Sequence, residues 1–408
     1  MRIFLLLILS AHILLSAAAP SGLLTDTYMS PYAGADTLML PQKALMNLQE
    51  YWNLRTCKKN FLFRIERLSE LIFLWDPMSY MLMVTQHEVF GHGYRIRSLG
   101  SYYATVCGYG MGAPPPYGPG GGFTSYNISP TLTTSKEIAI TAAGVEATGL
   151  LAGELKKKWI LDRKIDPRQA SLYLYSEHDL SRYIFEGLSG NEFDLNSGND
   201  MEAYLFWLNS TYPQGYLSEN NLKTYALVNL VDPTTFYAIY AWFNYVASGE
   251  NSSIPMIPLF ATRLLPNLRL SLTPFGPEVL LENYLTYKSQ LTYFYFKAGE
   301  FAGNQYYGLG IENKTLWSYK KCCFGLRFDG WKQPLYSSYL LIDAFDNTPA
   351  PAPTTSGSYG AALQATLYYP LTNKMNIYAV VGGKTSGFLP GESLYTNPIL
   401  RIGLFGML

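Results

Sequence analysis

Two histidines and a glutamate lie within six residues of the chain, in the segment HEVFGH that begins at His87. Zn²⁺ binds neutral imidazole and carboxylate groups at about 2.0–2.2 Å, and catalytic zinc sites use three protein ligands plus one open position. A carboxylate beside such an ion can take a proton from water whose pKa the metal lowers. The segment therefore predicts a zinc site with His87 and His92 as ligands and Glu88 as the catalytic base.

The spacing of the two histidines determines which backbone this site needs. The familiar helical pattern places histidines at i and i+4, on one face. Here the spacing is i and i+5, and at about 100° per residue the side chains of a regular α-helix would lie about 140° apart. One extra residue in a π-helical turn restores a common face, and such turns are frequent at functional sites. We therefore predict a π-bulge or a break between Glu88 and His92, with Gly91 taking much of the distortion.

The pattern H-E-x-x-G-H-G, which begins at His87, resembles the metal-binding helix of the dipeptidyl peptidase III family of zinc peptidases. The resemblance implies that both histidines bind zinc, that Glu88 polarises water, and that a glutamate on a second helix completes the ligand set. Glu146, 54 residues after His92, is the candidate for this third ligand. Its surroundings, GVEATG, differ from the family's E-E-x-R-A-[ED] pattern, and the likeness is confined to the motif.

Glu146 has an alternative role, because it lies in an apolar stretch, residues 138–153. A buried carboxylate is costly unless it is paired or bound to a metal. A metal ion is one such partner, and an ion pair with Arg95 or Arg97 is the other. His178 is similarly open, either as a donor to a transition state or as a solvated side chain.

The first nineteen residues have the features of a secretory signal peptide. Arg2 precedes an apolar run from Ile3 to Leu15, and the small residues SAAA follow it. This order of a positive start, an apolar run and a small-residue cleavage site is typical of exported proteins. The run is shorter than the roughly 20 apolar residues of a membrane span. We therefore predict that residues 1–19 are removed on export, with an uncleaved N-terminal anchor as the alternative.

The composition indicates an unusual surface. Charged residues make up 15% of the chain and 34 residues are tyrosines, whereas soluble domains are roughly 25% charged. Basic and acidic residues balance at 30 each, which gives no general attraction for nucleic acid. We therefore expect no nucleic-acid partner, and a protein that contacts lipid over part of its surface.

The periodicity of the apolar residues changes near residue 262. Residues 20–261 have helical spacings, interrupted by a glycine- and proline-rich segment, 107–122, that we expect to be a loop. Residues 262–408 alternate with a period of two, as at Leu400, Ile402 and Leu404. The prediction is an α+β protein, in which a helical, zincin-like domain precedes an antiparallel β domain of about eight to nine strands. Outward apolar residues and many tyrosines favour an outer-membrane β-barrel, and a soluble β-sandwich is the alternative.

Taken together, these patterns predict a zinc-dependent peptidase of the cell envelope, in the outer membrane or periplasm of a Gram-negative-type cell. Its partners would be a peptide or protein substrate and, for a barrel, membrane lipid. The alternative is a non-enzymatic outer-membrane barrel whose helical part is a plug or scaffold.

Overall fold

The structure, a computed structural model, describes residues 21–52, 60–188, 198–319, 321–346, 348–351, 357–372 and 375–406. The predicted signal peptide lies outside the described residues. The α-helices are α1 (Pro31–Tyr51), α2 (Phe61–Glu70), α3 (Asp76–His87), α4 (Gly93–Leu99), α5 (Thr134–Thr141), α6 (Ala143–Asp162), α7 (Ala170–Glu177), α8 (Asp179–Gly187), α9 (Asp200–Thr211), α10 (Glu219–Ala226), α11 (Pro233–Ser248) and α12 (Leu341–Phe345). The strands are β1 (Ser21–Asp26), β2 (Ala104–Met111), β3 (Gly122–Ile128), β4 (Ile257–Leu259), β5 (Thr262–Thr273), β6 (Gly276–Tyr287), β7 (Gln290–Phe301), β8 (Asn304–Tyr319), β9 (Cys322–Pro334), β10 (Gly357–Pro370), β11 (Met375–Lys384) and β12 (Asn397–Gly406).

Ten of these strands form one antiparallel sheet in the order β1-β12-β11-β10-β9-β8-β7-β6-β5-β4. Strands β4 to β12 are neighbours in the order of the chain, so they form a meander. Strand β1 joins its far side, with Ser21 opposite Gly406. The predicted α+β class with an antiparallel sheet is therefore confirmed, and the first described strand belongs to the sheet that we expected to begin at residue 262.

The prediction that the glycine- and proline-rich segment, residues 107–122, is a loop is only partly correct. Strands β2 and β3 pair with each other, with Ala104 opposite Ile128 and Met111 opposite Gly122. Only residues 112–121 connect them. The flanks of the segment carry β-branched and aromatic residues such as Val106 and Phe123, which favour strands, and cross-strand pairing offsets the cost of the glycines.

The two faces of the ten-stranded sheet differ in the side chains that they carry. One face exposes large apolar side chains, and we call it the outer apolar face. Its members are Leu268, Leu281, Phe296, Leu309, Ile311, Leu326, Phe328, Leu363, Val381, Leu400, Ile402 and Leu404. They lie in cross-strand rows, for example Leu268 opposite Leu281 and Leu281 opposite Phe296. These exposed side chains alternate with buried ones, such as Leu270 and Leu272 of β5, which cluster with helical residues in the core.

The inner face of the sheet carries buried charges that contact the helices. Glu154 of α6 accepts from Lys314 of β8 at 2.7 Å, and Lys157 of α6 donates to Glu154 at 2.9 Å. Arg401 of β12 pairs with Glu392, in the connection between β11 and β12, at 2.7 Å. Each buried charge in this group has an opposite partner, as buried charges require. Helix α6 therefore packs on the sheet through ion pairs as well as through apolar contacts.

No single described helix is long and apolar enough to cross a membrane. Helices α5 and α6 have the length and composition of a membrane span only when they are taken together, and they are bent by 43° relative to each other.

Candidate metal centre

The histidine segment forms the predicted π-helical turn. Helix α3 ends at His87, the π-turn spans Glu88–His92, and the N–H of Gly93 donates to the carbonyl oxygen of Glu88, five residues earlier. The extra residue brings both imidazoles to one side of the helix, where the Nε2 atoms of His87 and His92 lie 3.1 Å apart. The predicted π-turn is therefore confirmed.

Gly91 contributes space to this turn, and it is not among the glycines with a positive φ. A Cβ atom at Gly91 would lie 2.7 Å from the carbonyl oxygen of Ala143 and 2.7 Å from the Cα of Gly144. Such distances are shorter than van der Waals contact. Gly91 therefore lets the π-turn approach the start of α6 closely.

A third potential ligand, Asp200, reaches the two histidines from the first residue of α9. Its Oδ2 lies 3.0 Å from Nε2 of His87 and 3.1 Å from Nε2 of His92. A tetrahedral ion at about 2.0–2.1 Å from each ligand needs ligands roughly 3.3–3.4 Å apart. The three atoms are therefore within a few tenths of an ångström of this geometry, and His87, His92 and Asp200 form a group that can hold a metal ion.

The other ring nitrogen of each histidine has an acceptor as its partner. Nδ1 of His92 lies 2.7 Å from the carbonyl oxygen of Ile140, and Nδ1 of His87 lies 2.7 Å from Oδ2 of Asp179. Thr148 donates to the same Asp179 oxygen at 2.8 Å. Because these partners are acceptors, Nδ1 of each histidine carries the proton. The Nε2 atom of each neutral imidazole then directs its lone pair at Nε2 of the other histidine. Two nitrogen lone pairs and a carboxylate oxygen thus face one another, an arrangement that needs a cation or a proton among them.

The electrostatics of the buried site favour positive charge. Burial on its own would lower the pKa of His92, but the Asp200 carboxylate raises it above its ordinary value. Burial also opposes protonation of His87, where Tyr183, Asp179 and Asp200 together hold the pKa well above its ordinary value. The pKa of Asp200 is lowered because the charges of the histidines outweigh its burial. A divalent cation would supply the same positive charge without protons.

Glu88 lies beside this group, at the wall of an open cleft of about 330 Å³. Thr124 of β3 donates to its Oε2 at 2.7 Å. The cleft is also lined by His87 and by Tyr183, whose ring stacks on the His87 imidazole with centroids 5.3 Å apart. The predicted base and one predicted ligand therefore face the same solvent-connected space.

The structure does not bring Glu146 to the histidines, contrary to our expectation. Both of its carboxylate oxygens accept from Nη2 of Arg95, at 2.8 and 2.9 Å, and Oε1 also accepts from the N–H of Gly391 at 2.6 Å. The geometry of α6 explains this. Gly144 contacts His87, and a residue two positions later points about 200° around the helix. The ion pair with Arg95, the alternative from the sequence, is the arrangement found.

Sequence reasoning does not identify Asp200 as a ligand, because no characteristic spacing links it to the histidine motif. It follows His92 by 108 residues, and its local signal is only that of a helix start, where Asn199 caps α9 by accepting from the N–H of Met201 at 2.9 Å. His178 is not among the residues that line the cleft, and its Nε2 lies 2.9 Å from Oγ1 of Thr235. Comparison of the chain with models of known families, with curated proteins and with solved structures finds no match.

The identity of the third ligand can be tested by two substitutions. Asp200→Asn removes the charged ligand oxygen, and we expect it to weaken zinc binding by more than the roughly 10- to 100-fold typical of an outer-shell change. Glu146→Gln is expected to keep zinc and to lower the melting temperature, because it breaks a buried ion pair. Titration against a competing chelator and thermal unfolding measure the two effects. Zinc loss in Glu146→Gln with retention in Asp200→Asn would restore the glutamate as the ligand.

Proposed function

We propose that this protein is a zinc-dependent peptidase of the cell envelope. The observation that carries the proposal is the convergence of two imidazole lone pairs and one carboxylate oxygen, within 3.1 Å of one another, beside Glu88. Two nitrogen donors and one carboxylate oxygen suit Zn²⁺, and three protein ligands leave a fourth position open, as in catalytic sites.

The hydrogen bonds made by Nδ1 of each histidine support this proposal. In zinc sites, a ligating histidine almost always donates its other N–H to a carboxylate, a backbone carbonyl or water, which fixes its tautomer and ring orientation. His87 has such a carboxylate in Asp179, and His92 has such a carbonyl in Ile140. The two imidazoles are therefore held with Nε2 free for a metal before any metal arrives.

The cleft residues have the chemical capacities that peptide hydrolysis needs. A zinc ion, when bound, would act as a Lewis acid that lowers the pKa of water. Glu88, held through Oε2 by Thr124, would take a proton from water in the cleft as that water attacks the peptide carbonyl carbon. The same carboxyl group would then give the proton to the departing amine as the C–N bond breaks.

Tyr183 would assist by donating a hydrogen bond to the carbonyl oxygen as it gains charge. The charge of His87 lowers the pKa of Tyr183, but burial and the carboxylates of Asp200 and Asp179 raise it more, so its pKa lies above the ordinary value. The hydroxyl group therefore keeps its proton and remains a donor over the physiological pH range.

The direct experiment measures metal and activity together on the full chain. Purified protein should contain one zinc ion per chain and hydrolyse members of a mixed peptide library. A chelator should remove both the metal and the activity, and added zinc should restore both. Absence of zinc from protein purified without chelators, and no uptake on titration, would contradict the proposal.

One observation favours a second, non-enzymatic function. Helix α6 contacts the inner face of the sheet through ion pairs such as that between Glu154 and Lys314, as a structural plug or scaffold would. Zinc bound without any hydrolysis, or no zinc at all, would support this alternative.

For the location, we propose that the ten-stranded sheet is the wall of an outer-membrane β-barrel. The outer apolar face supports this, since soluble proteins rarely expose so large a continuous apolar surface. In outer-membrane barrels, apolar residues face lipid while polar residues face the interior. The ion pairs of the inner face, among them Arg401 with Glu392, fit this arrangement.

Fractionation of cells tests the location. We expect the mature protein to sediment with outer membranes and to resist extraction by high salt, because apolar contacts with lipid are not screened by ions. Detergent should release it. Recovery as a monodisperse periplasmic protein without detergent would refute the membrane assignment.

A further inference from the structure

Strand β3 has a free edge beside the metal centre. It forms a two-stranded sheet with β2, so its other edge has no strand partner in the described part of the chain. The strand lies against Glu88, where a Cβ atom at Gly122 would be 3.0 Å from Cγ of Glu88 and where Oγ1 of Thr124 donates to Oε2 of Glu88 at 2.7 Å. Gly122 also lines the cleft that contains His87 and Glu88. The start of β3 therefore borders the space in which the proposed hydrolysis takes place.

The hydrogen bonds at the two ends of the hairpin show which backbone groups of β3 point outward. The N–H of Gly112 donates to the carbonyl oxygen of Gly121 at 2.9 Å, and the N–H of Ser129 donates to that of Tyr103 at 2.9 Å. Bonds alternate along an antiparallel ladder, so every second residue of β3 directs its N–H and C=O groups away from β2. These residues are Gly122, Thr124, Tyr126 and Ile128. No hydrogen bond from another described residue uses these outward backbone groups.

The cleft beside β3 accommodates the side chains of an added strand. In an antiparallel pair, directly opposite residues place their side chains on the same face. A residue opposite Thr124 would therefore point toward the helices, as Thr124 does, and there the wall of the cleft includes Tyr80, Met83 and Val84 of α3. The intervening residues would point to solvent, as the exposed Phe123 of β3 does. The site therefore suits apolar side chains on every second residue.

We propose that the free edge of β3 binds the substrate as an added antiparallel strand, and that the substrate is an extended, unpaired polypeptide segment with an apolar side chain on every second residue. Such a strand would run about 4.8 Å from β3, past Glu88. Backbone hydrogen bonds give affinity without regard to sequence, and the cleft selects the side chains. Because a folded protein keeps its strands paired, the edge selects unfolded chains. The inference rests on the proposed peptidase function, but strand binding itself does not require the metal.

The test measures binding to the full chain, held in an amphipathic polymer and freed of metal by a chelator so that no peptide is cleaved. The probe is a labelled peptide in which threonine and leucine alternate over 7 residues, the length of β3, between terminal lysines. One isomer carries N-methyl groups on the leucine amides and the other carries them on the threonine amides. Directly opposite residues of a hydrogen-bonded pair exchange both bonds, so leucines that point into the cleft also present their N–H groups to β3. Each bond changes an equilibrium constant about two- to tenfold. Methylation of the leucine amides should therefore weaken binding at least tenfold, and methylation of the threonine amides should leave it unchanged.

The comparison separates strand pairing from other binding and from the peptidase activity. Contact with the polymer or with the outer apolar face affects both isomers alike, since their side chains are the same. Equal binding of the two isomers, weaker binding of the threonine-methylated one, or no saturable binding would overturn the proposal. Zinc-dependent hydrolysis together with equal binding would refute the added strand and leave the peptidase intact. Selective binding by a protein that takes up no zinc would support the strand and refute the peptidase.

Ile128→Pro tests the edge from the side of the protein. Proline removes one outward N–H of β3, and an edge strand tolerates it where that N–H faces solvent. Ile128 is 47% exposed, and the control Ile128→Thr keeps the N–H together with a β-branched side chain. We expect the proline variant to bind the threonine-methylated peptide about two- to tenfold more weakly, the net effect of one hydrogen bond, and the threonine variant to bind it as the unaltered protein does. Equal affinity in the two variants would overturn pairing along β3.

Discussion

Alanine in place of either His87 or His92 is expected to abolish stoichiometric zinc, whereas Glu88→Gln is expected to keep zinc and lose hydrolysis. Each histidine supplies one of three ligand atoms, so its loss leaves too few ligands for a tight site. Glutamine keeps the shape of Glu88 and its bond to Thr124 but cannot take a proton. We expect kcat to fall by about 10²- to 10⁴-fold, the usual contribution of a general base. Metal analysis after dialysis and peptide hydrolysis by the same samples measure both effects.

His178→Gln is the matched control for the histidine variants. This residue contacts Thr235 and does not line the cleft, so zinc content and hydrolysis should stay at the level of the unaltered protein. Full zinc occupancy in His92→Ala would remove the basis of the metal assignment. Hydrolysis retained by Glu88→Gln would leave the metal site intact but assign the base elsewhere.

Gly144→Ala is expected to disrupt the metal site although glycine supplies no ligand. A Cβ atom at Gly144 would lie 2.2 Å from Nε2 of His87, so the imidazole must move. Asp179 holds that ring through Nδ1, and a displaced ring no longer directs Nε2 at the metal. We expect zinc affinity to fall by about 10- to 100-fold, as when the orientation of a ligating histidine is disturbed. Competition titration with a chelator measures the change.

Gly153→Ala provides the control on the same helix. A Cβ atom at Gly153 would meet no atom within 4 Å, and alanine favours helix more than glycine does. Zinc affinity should therefore be unchanged. Gly91→Val should resemble Gly144→Ala, because a side chain at Gly91 would collide with Ala143 and Gly144 at the start of α6. Equal zinc affinity in Gly144→Ala and Gly153→Ala would show that His87 has more room than the structure indicates.

The features that follow from local geometry could be predicted from the sequence. The i, i+5 spacing of His87 and His92 requires an extra residue in the turn, and a π-turn is the helical form that provides it. Alternation in segments such as 397–406 requires one apolar and one polar face for each strand. In both cases the evidence is contained in a few consecutive residues.

The remaining features depend on contacts between distant parts of the chain. Asp200 follows His92 by 108 positions in the chain, and a helix-start signal does not reveal which group the helix approaches. Glu146 was misplaced because its direction depends on which face of α6 contacts His87, and that face is set by the close approach at Gly144. The pairing of β1 with β12 likewise has no local signal, since β1 is a short segment that resembles many loops.

The pairing of β1 with β12 has a consequence for the order of folding. Ser21 is opposite Gly406, so this strand pair closes a loop of nearly the whole described chain. Contacts between residues so far apart in the chain require a large loss of chain entropy before they form, and this loss slows folding. The edge of β1 that pairs with β12 therefore stays unpaired until β12 has been synthesised, and the unpaired edge is of the kind that promotes aggregation. We infer that the protein depends on holding factors until β12 becomes available to pair with β1.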